Sequence, residues 1–336
     1  MTTSVSAPDI WRAEIDDAVV DLAASPDGRV AVAGGEGSLS ILSVDGAVER
    51  RVQLSMGCLK VAWSPAGDRV AVGSIDGVTV VDAGGSEVAR HRGGWCSSLA
   101  WSFDGARLAA GVGRTTVVLD RDGSELFRRD RDSTVTAVAW LKSRVAAAAY
   151  GGVHIYHVAR SAAPQVLPFT GSLLALSISP DRRWAASGNQ DATLHVWRVG
   201  KRGEELSMSG YPTKITALAF SPDSALLASG GGPDVTVWDF GGAGPRGSTP
   251  RILTAHEQAV TAVSWSPDGS LLAGAAADGR VAVWEPMRGA RGRPLAAVDE
   301  VHRPAPAASV CWAAQSGRLL AGWSDGTIAA RSVNVR

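Results

Sequence analysis

Two cysteines and one histidine are the residues of this chain best suited to chemistry. Cys58 and Cys96 open the runs CLKVAW and CSSLAW, the same place in two successive sequence units, and His91 lies shortly before the second. Two thiolates with an imidazole form a ligand set for zinc or another soft ion. Against a metal, Val19, Val135, Ile215 and Val260 fill the same slot elsewhere, and a reduced cysteine commonly packs as a small hydrophobe. No CxxC or HxxxH spacing supports a site. Other chemistry is not encoded: there is no G-x-S-x-G elbow, no phosphate loop of the G-x-x-x-x-G-K-[ST] type and no HExxH helix. The glycine clusters Gly34-Gly35, Gly93-Gly94 and Gly230–Gly232 are not followed by a helical pattern, so they read as turns rather than as an anion cradle. No catalytic residue, no cofactor and no enzymatic activity are expected.

What must position these residues is a repeat. An apolar stretch, a Ser-Pro-Asp-Gly-like turn, a Leu-Ala-Gly run, an acidic turn and a Val-x-Val-Trp-like strand recur eight times, most clearly from Val260. The anchors closing the apolar stretch are Ala24, Trp63, Trp101, Trp140, Ile178, Phe220, Trp265 and Trp312, spaced 39, 38, 39, 38, 42, 45 and 47 residues apart. Such a period marks a repeat architecture. Alternation and turn chemistry divide the clearest unit into strand a (260–265), strand b (271–276) and strand c (281–284). A strand d follows in seven units, at 48–54, 87–91, 126–129, 165–168, 204–208, 251–254 and 294–298. Four antiparallel strands per unit make a propeller blade. No strand d follows the eighth unit, but IWRAEI (10–15) precedes the first. The expectation is one all-β domain over 1–336, an eight-bladed propeller of four-stranded antiparallel blades whose last blade is closed by the N-terminal strand. The alternative is seven blades and an irregular tail.

The segments SPDR (179–182), SPDS (221–224) and SPDG (266–269), with VWDF (237–240) and VWEP (283–286), resemble the WD40 repeat family across nearly the whole chain. The match is strong in units five to seven and degenerate elsewhere; unit eight has Arg331 where the tryptophan would stand. The resemblance implies a rigid, non-catalytic scaffold or adaptor for protein–protein interaction. It also implies structural pairs between a histidine before strand a and the aspartate of the b–c turn, which would be His256 with Asp278 and His302 with Asp325. His91 has no such partner, since Gly113-Arg114 occupies the turn. The runs MSGYPTK (208–214) and GGGPDVTVWDF (230–240) are similar to a bacterial WD40 subgroup associated with metal-handling GTPases. That similarity implies the competing reading, a metal- or ligand-binding propeller using the channel mouth near Cys58 and Cys96.

In a propeller the d–a loops and b–c turns share one face, the top. Ile75, Trp95, Tyr150, Tyr211, Lys214 and Trp323 map there, and large aromatics among polar loops are the usual anchors of protein interfaces. The bottom rim carries Arg202, Arg246, Arg288, Arg291 and Arg293 in the later blades, and Asp45, Asp82, Asp120 and Asp122 in the earlier ones. A basic rim would suit an acidic protein or a nucleic acid, but aromatic interleaving for base stacking is missing. Asp21 and Lys60 hold equivalent strand-a positions and suggest an ion pair between blades.

Composition narrows the class. The 336 residues carry 33 Lys and Arg against 33 Asp and Glu, so no net field recruits nucleic acid or an anionic membrane. Lysine is confined to Lys60, Lys142, Lys201 and Lys214, an arginine bias that suggests a bacterial source. No apolar run reaches the ~18 residues of a span, and MTTSVSAPDIW lacks an export signal. Three cysteines are too few and too odd for a disulfide framework. A cytoplasmic monomer with one or more protein partners is the expectation.

Overall fold

The structure, a computed structural model, describes residues 8–54, 57–201, 203–242, 244–313 and 317–333. It is an eight-bladed β-propeller in which each blade is built on four antiparallel strands and one blade gains a fifth, and the one helical segment among the described residues is a single turn at Pro286–Arg288. The chain divides into two compact units, Ile15–Leu176 and the remainder.

In the first unit, blades one to four run 19–53, 58–92, 96–130 and 137–168, each with its strands in chain order. Strand b is buried at every position in blade one (Val30–Gly34), and strand d of blade three (Glu125–Asp130) exposes all but Phe127. A strand covered on both faces tolerates only small apolar residues, which is why the b strands read as unbroken Val, Ala and Gly rather than as alternation. Glycine sits in them for a steric reason. A β-carbon on Gly73 would lie 2.2 Å from the Cys96 carbonyl oxygen, and one on Gly111 would lie 2.8 Å from Val135. The first residue of strand a is thus a knob that fits against the glycine of the preceding blade.

In the second unit, the last blade joins 307–313, 318–323 and 327–331 to the N-terminal strand Asp9–Glu14, with Asp9 opposite Arg331 and Glu14 opposite Thr327. The eight-blade reading with closure by the N-terminus holds, and the seven-blade alternative does not. One strand assignment is corrected. Residues 294–296 do not form strand d of blade seven; they pair in parallel with Arg251–Thr254 and become a fifth strand of blade six. The fourth strand of blade seven is Asp299–His302, paired with Arg280–Val283. The intervening loop is long enough for the chain to visit its neighbour before returning.

The Ser-x-Asp turns recur for a local reason. In blades three, five, six and seven the serine hydroxyl donates to the aspartate two positions on, at 2.6, 2.6, 2.5 and 2.6 Å. The same oxygen accepts the backbone N–H at or just before the start of strand b, from Arg107, Trp184, Leu226 and Leu271.

Candidate functional site

Three large apolar side chains project from consecutive blades of the first unit, at the end formed by b–c turns and d–a loops. Ile75 is 42%, Trp95 65% and Tyr150 58% exposed. Their backbones are held while the side chains face water. Ile75 N–H donates to Gly57 O at 3.1 Å, Gly113 N–H donates to Trp95 O at 2.7 Å, and Tyr150 N–H donates to Ser133 Oγ at 3.0 Å. Charge near Ile75 is balanced, with Asp76 facing Arg92 at 3.7 Å. Fixed turns that present apolar groups lose little ordering entropy on docking.

The expected anchors in the second unit fare differently. Lys214 is exposed. Trp323 is only 1% exposed, its indole N–H donating to Gly279 O at 3.0 Å and the Arg303 guanidinium stacked 5.5 Å from its ring. It is an interior residue of the last blade, because it ends a strand b whose every later position is covered. Tyr211 is also largely withdrawn: its hydroxyl meets Ser229 Oγ at 2.6 Å and receives the Trp238 indole N–H at 2.9 Å. One exposed aromatic escaped the sequence reading. Phe103, 95% exposed, replaces the proline of a Ser-Pro-Asp-Gly turn and lies at the opposite end of blade three.

The thiols do not assemble a metal centre. Cys58 and Cys96 are 1% and 0% exposed, and burial pushes each thiol up to about 12. Their sulfurs lie near backbone carbonyls, Ser38 O at 3.8 Å and Ser98 O at 3.6 Å. His91 Nδ1 is 3.9 Å from Glu125. Among the described residues no group of three or more His, Cys, Asp or Glu is placed to hold an ion.

The structural pairs are half present. His256 Nδ1 stands 3.9 Å from Asp278, whose carboxylate is occupied by the Glu257 and Arg280 amides at 2.6 and 2.9 Å. The imidazole packs edge-on against Trp284, and burial lowers it to about 4 despite Asp278. His302 does not meet Asp325. Its Nε2 is 3.1 Å from Asp278 O, while Arg303, one position along, reaches Asp325 at 3.5 Å and Thr327 at 2.9 Å. The guanidinium is longer and brings more donors to that turn than an imidazole can. The expected ion pair between blades one and two is present: Lys60 Nζ and Val61 N–H each approach Asp21 at 3.0 Å.

The basic rim is compensated in part. Arg291 pairs with Asp239 at 2.5 Å and Arg288 pairs with Glu285, while Arg246 and Arg293 are exposed. Arg202 lies outside the described residues. On the earlier blades the aspartates are turn formers: Asp82 accepts the Gly84 and Ser86 amides, and Asp120 those of Asp122 and Ser124.

Sequence reading saw the strand-a tryptophans only as markers of the period. They are fasteners between blades. Trp101 Nε1–H donates to Ala62 O at 3.1 Å, Trp140 to Ala100 O at 2.7 Å, Trp265 to Ala219 O at 3.0 Å and Trp312 to Ser264 O at 3.0 Å. Each acceptor immediately precedes the anchor of the blade before.

Comparison with known proteins agrees with this geometry. The family model for the WD domain, G-beta repeat, matches residues 165–198, 204–239 and 247–285. A curated relative, the small ribosomal subunit protein RACK1 of Schizosaccharomyces pombe, is 32% identical over 98 residues, 25% of this chain and 31% of that protein. The match therefore spans under a third of the relative's length. Among solved structures, Sqt1 from Chaetomium thermophilum superposes with a TM-score of 0.84 at 18% identity, covering 98% of this chain and 99% of that one. The C-terminal WD40 domain of Sif2 gives 0.81 at 15%, with 98% and 99% covered. The computationally designed Ika8 protein gives 0.77 at 23%, with 95% and 98% covered. At these identities the likeness is one of fold. No helix among the described residues is long and apolar enough to cross a membrane.

Proposed function

We propose that this chain is a non-catalytic adaptor that docks a partner protein against the b–c and d–a end of blades two to four. The observation that carries the reading is the exposure of Ile75, Trp95 and Tyr150 on consecutive blades, with their backbones held by hydrogen bonds. Large apolar side chains exposed at one end of neighbouring blades are the kind of anchor that protein interfaces use. The buried thiols and the missing ligand cluster give the metal-binding reading no support.

The test is quantitative capture from the source cell with the full chain, comparing wild type with Trp95→Ala, Tyr150→Ala and Phe103→Ala. Truncating a central aromatic typically costs about 2 kcal/mol, roughly 30-fold in affinity. The proteins specific to wild type should be lost by the first two variants and kept by the third. Retention by Trp95→Ala and Tyr150→Ala together, with loss on Phe103→Ala, moves the site to the other end of the blades.

A further inference from the structure

The Tyr-Pro loop and the triple-glycine turn build a cavity in blade six. It measures about 260 Å³, and its walls include Tyr211, Pro212, Trp238, Pro250 and Ile252, with Asp234 among the lining residues. The glycines make it possible. A β-carbon on Gly231 would lie 2.8 Å from Tyr211 Cδ1, and one on Gly232, at φ +122°, would lie 2.4 Å from Pro212 Cγ. Their absence lets the Tyr-Pro pair lie down against the turn. The Tyr211–Trp238 hydrogen bond, at 2.9 Å, then locks the two rings, with Ser229 holding the phenol from the other side.

Asp234 stands immediately before strand c of blade six, at the register position that Arg280 fills in blade seven, and it differs from the aspartates of the other b–c turns. Asp76 faces Arg92, Asp191 accepts from Thr193, Asp278 is held by two amides and Asp325 by Arg303 and Thr327. Among the described residues no cation lies within 4 Å of Asp234 and no donor is bonded to it. Asp234 is exposed, and the partial desolvation that acts on it unopposed holds its carboxyl above the usual value. The phenol and indole donors of the cavity, meanwhile, are spent on each other and on Ser229, so the two rings contribute aromatic surface rather than N–H or O–H groups.

An aromatic and proline-lined hollow beside an uncompensated carboxylate is suited to a positive charge. Ring faces attract cations, and Arg and Lys are the side chains that combine such a charge with an apolar stem. We propose that this cavity receives the lysine or arginine side chain of a partner polypeptide, with Asp234 as its counter-charge and Tyr211 and Trp238 as its walls. The site lies within one blade and is independent of the surface on blades two to four. A rigid, preformed hollow adds selectivity for a basic residue at one position of whatever the chain binds.

The test uses the full chain with nitrogen-15-labelled indoles, the Trp238 resonance being assigned through Trp238→Phe. The probes are the blocked pentapeptides Gly-Gly-Arg-Gly-Gly and Gly-Gly-Lys-Gly-Gly, and the first with citrulline in place of arginine. A saturable shift of the Trp238 resonance with a charged peptide is expected. The citrulline peptide should bind at least tenfold more weakly, and Asp234→Asn should weaken the charged peptides at least fivefold while the other indole resonances stay in place. Because those resonances report folding directly, the conservative variant stays interpretable. An unmoved Trp238 resonance, equal binding of the citrulline peptide, or undiminished binding by Asp234→Asn would each overturn the proposal.

Discussion

Arg331 and Asp9 stand 322 positions apart in the chain and 2.8 Å apart in space. The guanidinium is 3% exposed and also reaches Asp299 of blade seven at 3.3 Å. It ends strand c of the last blade as Trp284 ends that of blade seven, and it holds together the first strand, the last strand and a neighbouring blade. Removing one partner of a buried ion pair is costly because the charge left behind has lost its compensation, typically about 3–5 kcal/mol. Arg331→Ala should therefore lower unfolding free energy by about 3 kcal/mol in urea. A change below about 1 kcal/mol would assign closure to the backbone ladder alone.

The tryptophan fasteners separate by their acceptors. Trp140→Phe removes a 2.7 Å bond and strands the Ala100 carbonyl, at a cost of about 1–2 kcal/mol. Trp63 has the same place in its own blade, but its buried indole N–H lacks a partner. Trp63→Phe should cost less than half as much, or stabilise the fold. Equal losses in chemical denaturation would show that ring packing, not the hydrogen bond, joins the blades.

At the acid end of the pH range, stability should fall through the Ser-x-Asp turns. Hydrogen bonds from Ser102, Ser221 and Ser266 lead the causes that hold Asp104, Asp223 and Asp268 below their ordinary 3.8. A depressed carboxylate contributes stability that is full above the unfolded value and is lost as pH falls through the folded one. The triple variant Ser102→Ala, Ser221→Ala, Ser266→Ala should lose stability at neutral pH and show a shallower decline below pH 3.8. Parallel curves for the variant and wild type would contradict the assignment.

Two histidines act in the opposite range. Burial lowers His256 and His154 from 6.5 to about 4. Between those values the unfolded chain takes up protons that the native imidazoles refuse, so stability rises with pH there. The limiting slope is about 1.4 kcal/mol per pH unit for each histidine. Replacing both by Gln should flatten the curve between pH 4 and 6.5. An unchanged slope would mean that both rings protonate in the native state.

The architecture was legible because its signals are local. Turn chemistry and the spacing of the anchors need no knowledge of neighbours, so the blade count, the closing strand and the Asp21–Lys60 pair could be read directly. What escaped depends on burial and on one-residue offsets. Trp95 and Trp323 look alike in a sequence, yet one projects from a d–a loop and the other ends a covered strand b. His302 and Arg303 differ by one position, and that step decides which reaches Asp325. Residues 294–296 were recognisable as a strand, but pairing across blades leaves no trace in alternation. The cavity of blade six was visible only as two unusual loops, since their convergence on Asp234 is a tertiary fact.

Pairing of Asp9–Glu14 with Thr327–Arg331 also sets a schedule for the growing polypeptide. Asp9–Glu14 must wait, unmatched, while the seven intervening blades are synthesised before its mate emerges. Its alternating half-covered residues, charged at Asp9, Arg12 and Glu14, keep that waiting segment from pairing with strangers. A chain broken off before Thr327 would therefore carry seven finished sheets and an unclosed eighth.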